Sequence, residues 1–153
     1  MTELKKILLV EDSANDVALS MAALEEINLA NEVVVVRDGQ QALDFLTRKG
    51  EFADRNDGNP AVVLLDLKLP KVDGIEVLAR VKSDPQLKTI PIVMLTSSRE
   101  ERDLARSYGL GVNAYVVKPV AFPDFVAALK ELGLFWAVVN QPPPGSLSQP
   151  TGR

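Results

Sequence analysis

An unbroken apolar run, Val62 to Leu65, stops at a carboxylate, Asp66. The run is too short for an independent helix and too continuous for a strand with one wet face. It therefore predicts a strand covered on both sides, as the strands of parallel sheets are. Parallel strands need crossover connections, usually helices, so this stretch commits the chain to alternating strands and helices. It also puts Asp66 at a strand's carboxyl end, the edge where open α/β sheets gather their ligands. Taken alone, Asp66 fits a solvated turn equally well, and the other strand ends decide the matter.

Lys6 to Val10 is a second run of the same kind and ends in Glu11-Asp12. Ser13 with Asp16 three residues on is an N-cap pattern, and Val17, Met21, Leu24 and Ile27 recur at helical spacing, which predicts a helix over about 14–28. Val33 to Val36 is the next β-branched run. Asp38-Gly39 then opens a helix with Ala42, Leu43 and Leu46 as its inner stripe. Residues 50–60 are polar, contain Gly and close on Pro60, so they predict a loop at the sheet's amino edge with no assigned chemistry. After Asp66, Asp73-Gly74 caps a helix whose Val77, Leu78 and Val81 face inward and which Asp84-Pro85 ends. Ile90 to Leu95 predicts a fourth strand, leading into Thr96-Ser97-Ser98 and a helix from Ser98 and Glu101 to near Gly109. Asn113 to Val117 predicts the fifth strand and delivers Lys118-Pro119. A last helix carries Phe122, Phe125, Val126, Leu129 and Leu132. This order predicts an α/β fold: a doubly wound, five-stranded parallel sheet with strand order 2-1-3-4-5, flavodoxin-like.

Composition narrows the function classes. The 153 residues, 46% of them hydrophobic and 25% charged, suit one domain. A net charge of -4 without a long basic run argues against nucleic acid or an anionic membrane as the main partner. The chain has no Cys and no His, so thiolate chemistry is excluded and a metal site has only oxygen ligands, which suit hard cations such as Mg²⁺. No apolar stretch reaches membrane-spanning length and the N-terminus lacks a signal-peptide pattern, which predicts a cytoplasmic protein. The folded unit is expected over 1–137, with 138–153 as a C-terminal extension that is Pro-, Gly- and Ser-rich from Gln141 and partly disordered.

The strand ends bring Glu11, Asp12, Asp66, Thr96 and Lys118 to one predicted edge. Each residue alone fits a cap or a solvated turn. Together they describe a crevice in which a pair of carboxylates ~4 Å apart at an effective dielectric of ~20 repels by about 4 kcal/mol. Lys118 offsets part of that, and Mg²⁺ suits the remaining oxygens. An Asp so screened can act as a nucleophile toward phosphorus, with Thr96 and Lys118 holding the phosphoryl oxygens.

Over roughly residues 5–135 the chain resembles the receiver domain of two-component response regulators. The resemblance rests on Val10-Glu11-Asp12, Leu65-Asp66-Leu67-Lys68-Leu69-Pro70 with Asp73-Gly74, Leu95-Thr96-Ser97 and Val117-Lys118-Pro119. It implies that a histidine kinase phosphorylates Asp66, and that Asp12, Asp66 and the Lys68 backbone carbonyl bind Mg²⁺, with Glu11 reaching it through water. It also implies that Lys118 and Thr96 stabilise the phosphoryl group, that Tyr115 turns inward as Thr96 moves, and that the only catalysis is the protein's own phosphorylation and dephosphorylation. Glu11 to Asp16, Asp84 to Pro91, Ser107-Tyr108 and Phe135-Trp136 resemble the single-domain regulators that partner phytochromes, which implies a bacteriophytochrome kinase and a homodimer.

Other classes fit less well. A haloacid-dehalogenase-like phosphatase has a second Asp two residues after its nucleophile, where this chain has Lys68. A dinucleotide-binding oxidoreductase needs G-x-G-x-x-G after the first strand, where this chain has Glu11 to Asp16. A phosphorylation-independent scaffold is expected to lack one of the acids or Lys118, and all are kept. The dimer is expected through helix four, strand five and helix five, extended by Phe135 and Trp136. If those two bury ~300 Å², the gain at ~25 cal/mol/Å² is about 7 kcal/mol before association entropy.

Overall fold

The computed structural model describes residues 6–26, 32–96, 114–118, 123–124 and 126–127. The elements run β1 (Ile7–Val10), α1 (Ala14–Glu25), β2 (Val33–Val36), α2 (Gly39–Thr47), a 3-10 turn (Gly50–Phe52), β3 (Val62–Asp66), α3 (Gly74–Ser83), β4 (Ile92–Thr96) and β5 (Ala114–Val117). Residues 123, 124, 126 and 127 are helical, within the span expected for the last helix. The helix expected from Ser98, Tyr108, Phe135, Trp136 and the tail from Gln141 lie outside the described residues.

All strands are parallel, in the order β2-β1-β3-β4-β5. Every residue of β1, β3 and β4 is buried, as their continuous apolar runs require. β2 lies at an edge and is more exposed. The two-residue alternation along the strands sorts side chains into two cores. Leu8, Val10, Val63, Leu65, Ile92 and Met94 pack with α2 and α3 through Leu43, Phe45, Leu46, Val77, Leu78 and Val81. Ile7, Leu9, Val62, Leu64, Val93 and Leu95 pack on the other face with Ala23 and Leu24 of α1.

The caps are those the sequence spells. The side chains of Ser13, Asp38 and Asp73 accept from the amides of Asp16, Gln41 and Glu76, satisfying donors that the first helical turn leaves open. Strand four differs from the expected Ile90–Leu95. The Ile90 amide donates to the Leu87 carbonyl in the turn after α3, Pro91 has no amide to donate, and the ladder begins only at Ile92. The loop over 50–60 is also more ordered than its composition suggests. The Arg55 guanidinium lies 4.0 Å over the Phe45 ring and its Nε donates to the Phe45 carbonyl at 3.1 Å, while Phe52 meets Phe45 edge-on.

Candidate phosphoryl-acceptor site

The carboxyl ends of β1, β3, β4 and β5 meet at one edge because adjacent strands pair in register. Val10 lies opposite Leu65, Asp66 opposite Leu95, and Thr96 opposite Val117. The residue after each strand therefore falls beside its neighbours. The Glu11 amide extends the ladder to the Val36 carbonyl at 3.0 Å, and the Lys118 amide extends it to the Thr96 carbonyl at 2.7 Å.

Glu11, Asp12 and Asp66 each offer a carboxylate oxygen within 4.8 Å of the others. Glu11 is fully buried, Asp66 is 3% exposed, and Asp12 is open to solvent. Glu11 Oε2 accepts from the Ser13 amide at 3.2 Å and Asp66 Oδ1 from the Lys68 amide at 3.3 Å, so local backbone orients both acids. Lys118 Nζ reaches Glu11 Oε1 at 3.3 Å, Asp66 Oδ2 at 3.1 Å and Asp16 Oδ2 at 3.1 Å. Thr96 is wholly buried at the same edge, and its Oγ1 has no hydrogen-bond partner among the described residues.

The electrostatics follow from this crowding. Burial, and then the hydrogen bond and negative charge of Asp66, push Glu11 from 4.5 up to about 7, against the counter-pull of the Ser13 amide and Lys118. For Lys118, burial works against the ammonium. The carboxylates of Asp16, Asp66 and Glu11 overturn that and hold its pKa above the ordinary lysine value. The cluster thus has more carboxylate than one lysine neutralises, and burial together with the neighbouring Asp66 disfavours the charged form of Glu11. A trio of hard oxygen donors in that condition fits a divalent cation of the Mg²⁺ class.

The residues singled out in the sequence come together almost as a set: Glu11, Asp12, Asp66, Thr96 and Lys118 share the edge, with Lys68 in the loop beyond Asp66. Tyr115 lies two register pairs behind Thr96, opposite Met94, partly buried against the α2 and α3 core. Phe135 and Trp136 fall outside the described residues. Asp16 is the residue at this edge to which sequence reasoning gave only a capping role. Its signal was its place in the first turn of α1, just after the strand end that carries Glu11 and Asp12.

Comparison with known proteins agrees with this geometry. The family model for the response regulator receiver domain matches residues 7–130. The response regulator Rcp1 of Synechocystis sp. is 43% identical over 132 residues, 86% of this chain and 88% of the relative. Among solved structures, the bacteriophytochrome response regulator RtBRR superposes with a TM-score of 0.84 at 64% identity, covering 95% of this chain and 88% of that one. The phosphorylated cyanobacterial phytochrome response regulator RcpA gives 0.70 at 41% identity, covering 94% and 100%. The Mn²⁺-bound form of Rcp1 gives 0.68 at 42% identity, covering 86% and 92%.

Proposed function

The chain belongs to the response regulator receiver domain family, and from that membership we propose that it is a cytoplasmic phosphoryl-accepting regulator, modified on Asp66 by a histidine kinase. The observation that carries the proposal is the setting of Asp66: a nearly buried carboxylate on a strand end, 3.1 Å from the Lys118 ammonium and clustered with Glu11 and Asp12. The phosphohistidine must come from another protein, because this chain has no His.

In the proposed reaction an Asp66 oxygen attacks phosphorus, the P–N bond of the donor phosphohistidine breaks, and the imidazole leaves with the electron pair. Asp12, Asp66 and the Lys68 carbonyl would hold Mg²⁺, with the Glu11 carboxylate beside them. When bound, the cation screens the acceptor carboxylate from the incoming phosphoryl oxygens. Lys118 supplies a second positive charge, and Thr96 donates its otherwise unpartnered hydroxyl to the transferred group. Tyr115, on the same face of the sheet as Thr96, turns inward as that hydroxyl moves, which alters the surface that partners read. Hydrolysis of the aspartyl phosphate resets the protein, so the chain catalyses only its own modification and its reversal.

The relatives' names support a bacteriophytochrome as the kinase, and the sequence after Gly133 supports a homodimer with Phe135 and Trp136 in the contact. Output passes through protein contacts and not through DNA, in keeping with the net charge of -4.

Intact-mass spectrometry after incubation with Mg²⁺ and phosphoramidate tests the chemistry. One added phosphoryl group is expected, lost on Asp66→Asn and prevented by EDTA. Labelling that survives Asp66→Asn would remove Asp66 from its role.

A further inference from the structure

Lys118 has more partners than phosphoryl chemistry asks of it. Its ammonium has three N–H donors and stands within 3.3 Å of three carboxylates, those of Glu11, Asp16 and Asp66. Glu11 and Asp66 belong to the cluster suited to a cation. Asp16 does not; it projects from the first turn of α1, with its side chain 24% exposed. Its carboxylate is not needed for the helix cap either, since it is the Asp16 amide that donates to Ser13 Oγ.

We propose that Asp16 is a positioning residue that holds Lys118 when a divalent cation takes over Glu11 and Asp66, an inference that rests on the metal-assisted phosphoryl-acceptor reading above. The ammonium and the cation draw on the same two acids. A cation entering the cluster weakens the pull of Glu11 and Asp66 on Lys118 and adds repulsion between two positive centres. The pull of Asp16 is spared, because its carboxylate stands outside the cluster. The Asp16–Lys118 pair therefore stabilises the metal-bound form more than the metal-free form, and by linkage it tightens metal binding. It also keeps the ammonium within one side-chain swing of Asp66, where the phosphoryl group arrives. Without Asp16, Lys118 is left with the two acids the cation needs.

A double-mutant cycle on the full chain isolates this role from a general field effect. Mn²⁺ is titrated into wild type, Asp16→Asn, Lys118→Met and the double variant without phosphodonor, and the free ion is read by electron paramagnetic resonance. Asp16→Asn preserves shape and the backbone cap, and Asp16→Ser serves as a second substitution, with folding checked by thermal melts. Asp16→Asn is expected to weaken Mn²⁺ binding by about three- to tenfold, the range of a partly exposed charged hydrogen bond. In the Lys118→Met background the same substitution is expected to change binding by less than about twofold. Equal weakening in both backgrounds would overturn the proposal in favour of a simple loss of negative charge, and no weakening in either would overturn it outright. The underlying reading fails differently: wild type that neither takes up Mn²⁺ nor becomes phosphorylated refutes both. Phosphorylation and metal binding that are intact in wild type and unchanged in Asp16→Asn refute the role of Asp16 alone.

Discussion

At the scale of single residues, the site stores its chemistry as unmet electrostatic demand. Glu11 is an acid whose folded pKa, about 7, lies above its ordinary 4.5. In the metal-free protein the folded state therefore binds the extra proton between those values. Stability from this group is intact below pH 4.5 and is lost as pH rises through 7, by about 3 kcal/mol. Thermal melts in EDTA should fall by several degrees between pH 5 and pH 8, and Glu11→Gln should flatten that dependence; equal slopes in both proteins would contradict the assignment. Thr96 carries the opposite kind of demand, a buried hydroxyl without a partner among the described residues. Thr96→Val should leave the unphosphorylated protein as stable or about 1 kcal/mol more stable, while slowing phosphorylation of Asp66. A clear loss of stability in chemical denaturation would mean that the hydroxyl already serves the resting fold. Glu11, Asp12, Asp66, Thr96 and Lys118 were legible in sequence because each directly ends or follows a recognisable strand. Asp16 sits inside a helix, where its capping pattern hid a tertiary contact with a residue more than a hundred positions away. Arg55 was hidden for the same reason, since stacking on Phe45 depends on a fold-back that loop composition does not encode.

At the scale of elements, the strands β1, β3 and β4 and the inner stripes of α2 and α3 could be read because burial on both faces, or on one helical face, dictates apolar periodicity. The start of β4 could not, because the turn ahead of it takes the Ile90 amide through a contact that hydropathy does not mark. The joint between β3 and α3 is set by close backbone approach. The Gly74 amide donates to the Leu67 carbonyl at 2.8 Å, and a Cβ on Gly74 would lie 2.3 Å from the Asp66 carbonyl oxygen and 2.7 Å from Leu67 Cα. Those obstacles are backbone, with no rotamer to relax. Gly74→Ala should destabilise the protein by about 3 kcal/mol, near the upper end of overpacking costs, and should also slow phosphorylation by displacing the strand end that carries Asp66. A urea midpoint like that of wild type would show that the loop yields more easily than this geometry implies.

At the scale of the whole molecule, the parallel order and register bring groups more than a hundred residues apart to one edge, while the surface that reads the state is expected on the far side of β5. The proposed dimer is tested by sedimentation velocity at micromolar concentration. The intact chain is expected as a dimer and Phe135→Ala/Trp136→Ala as a monomer; monomers in both would leave regulation to a heterologous partner. A phosphotransfer profile against candidate histidine kinases identifies that partner, and a bacteriophytochrome kinase is expected to transfer fastest. All of this depends on one covalent bond at one residue. Sodium borohydride reduces an aspartyl phosphate to homoserine, so reduction after incubation with Mg²⁺ and phosphoramidate, followed by tandem mass spectrometry, reads the acceptor by its position in the chain. Homoserine at position 66, absent when EDTA or Asp66→Asn is used, is the predicted result; homoserine at another acid, or a phosphoryl label that borohydride leaves untouched, would contradict the account.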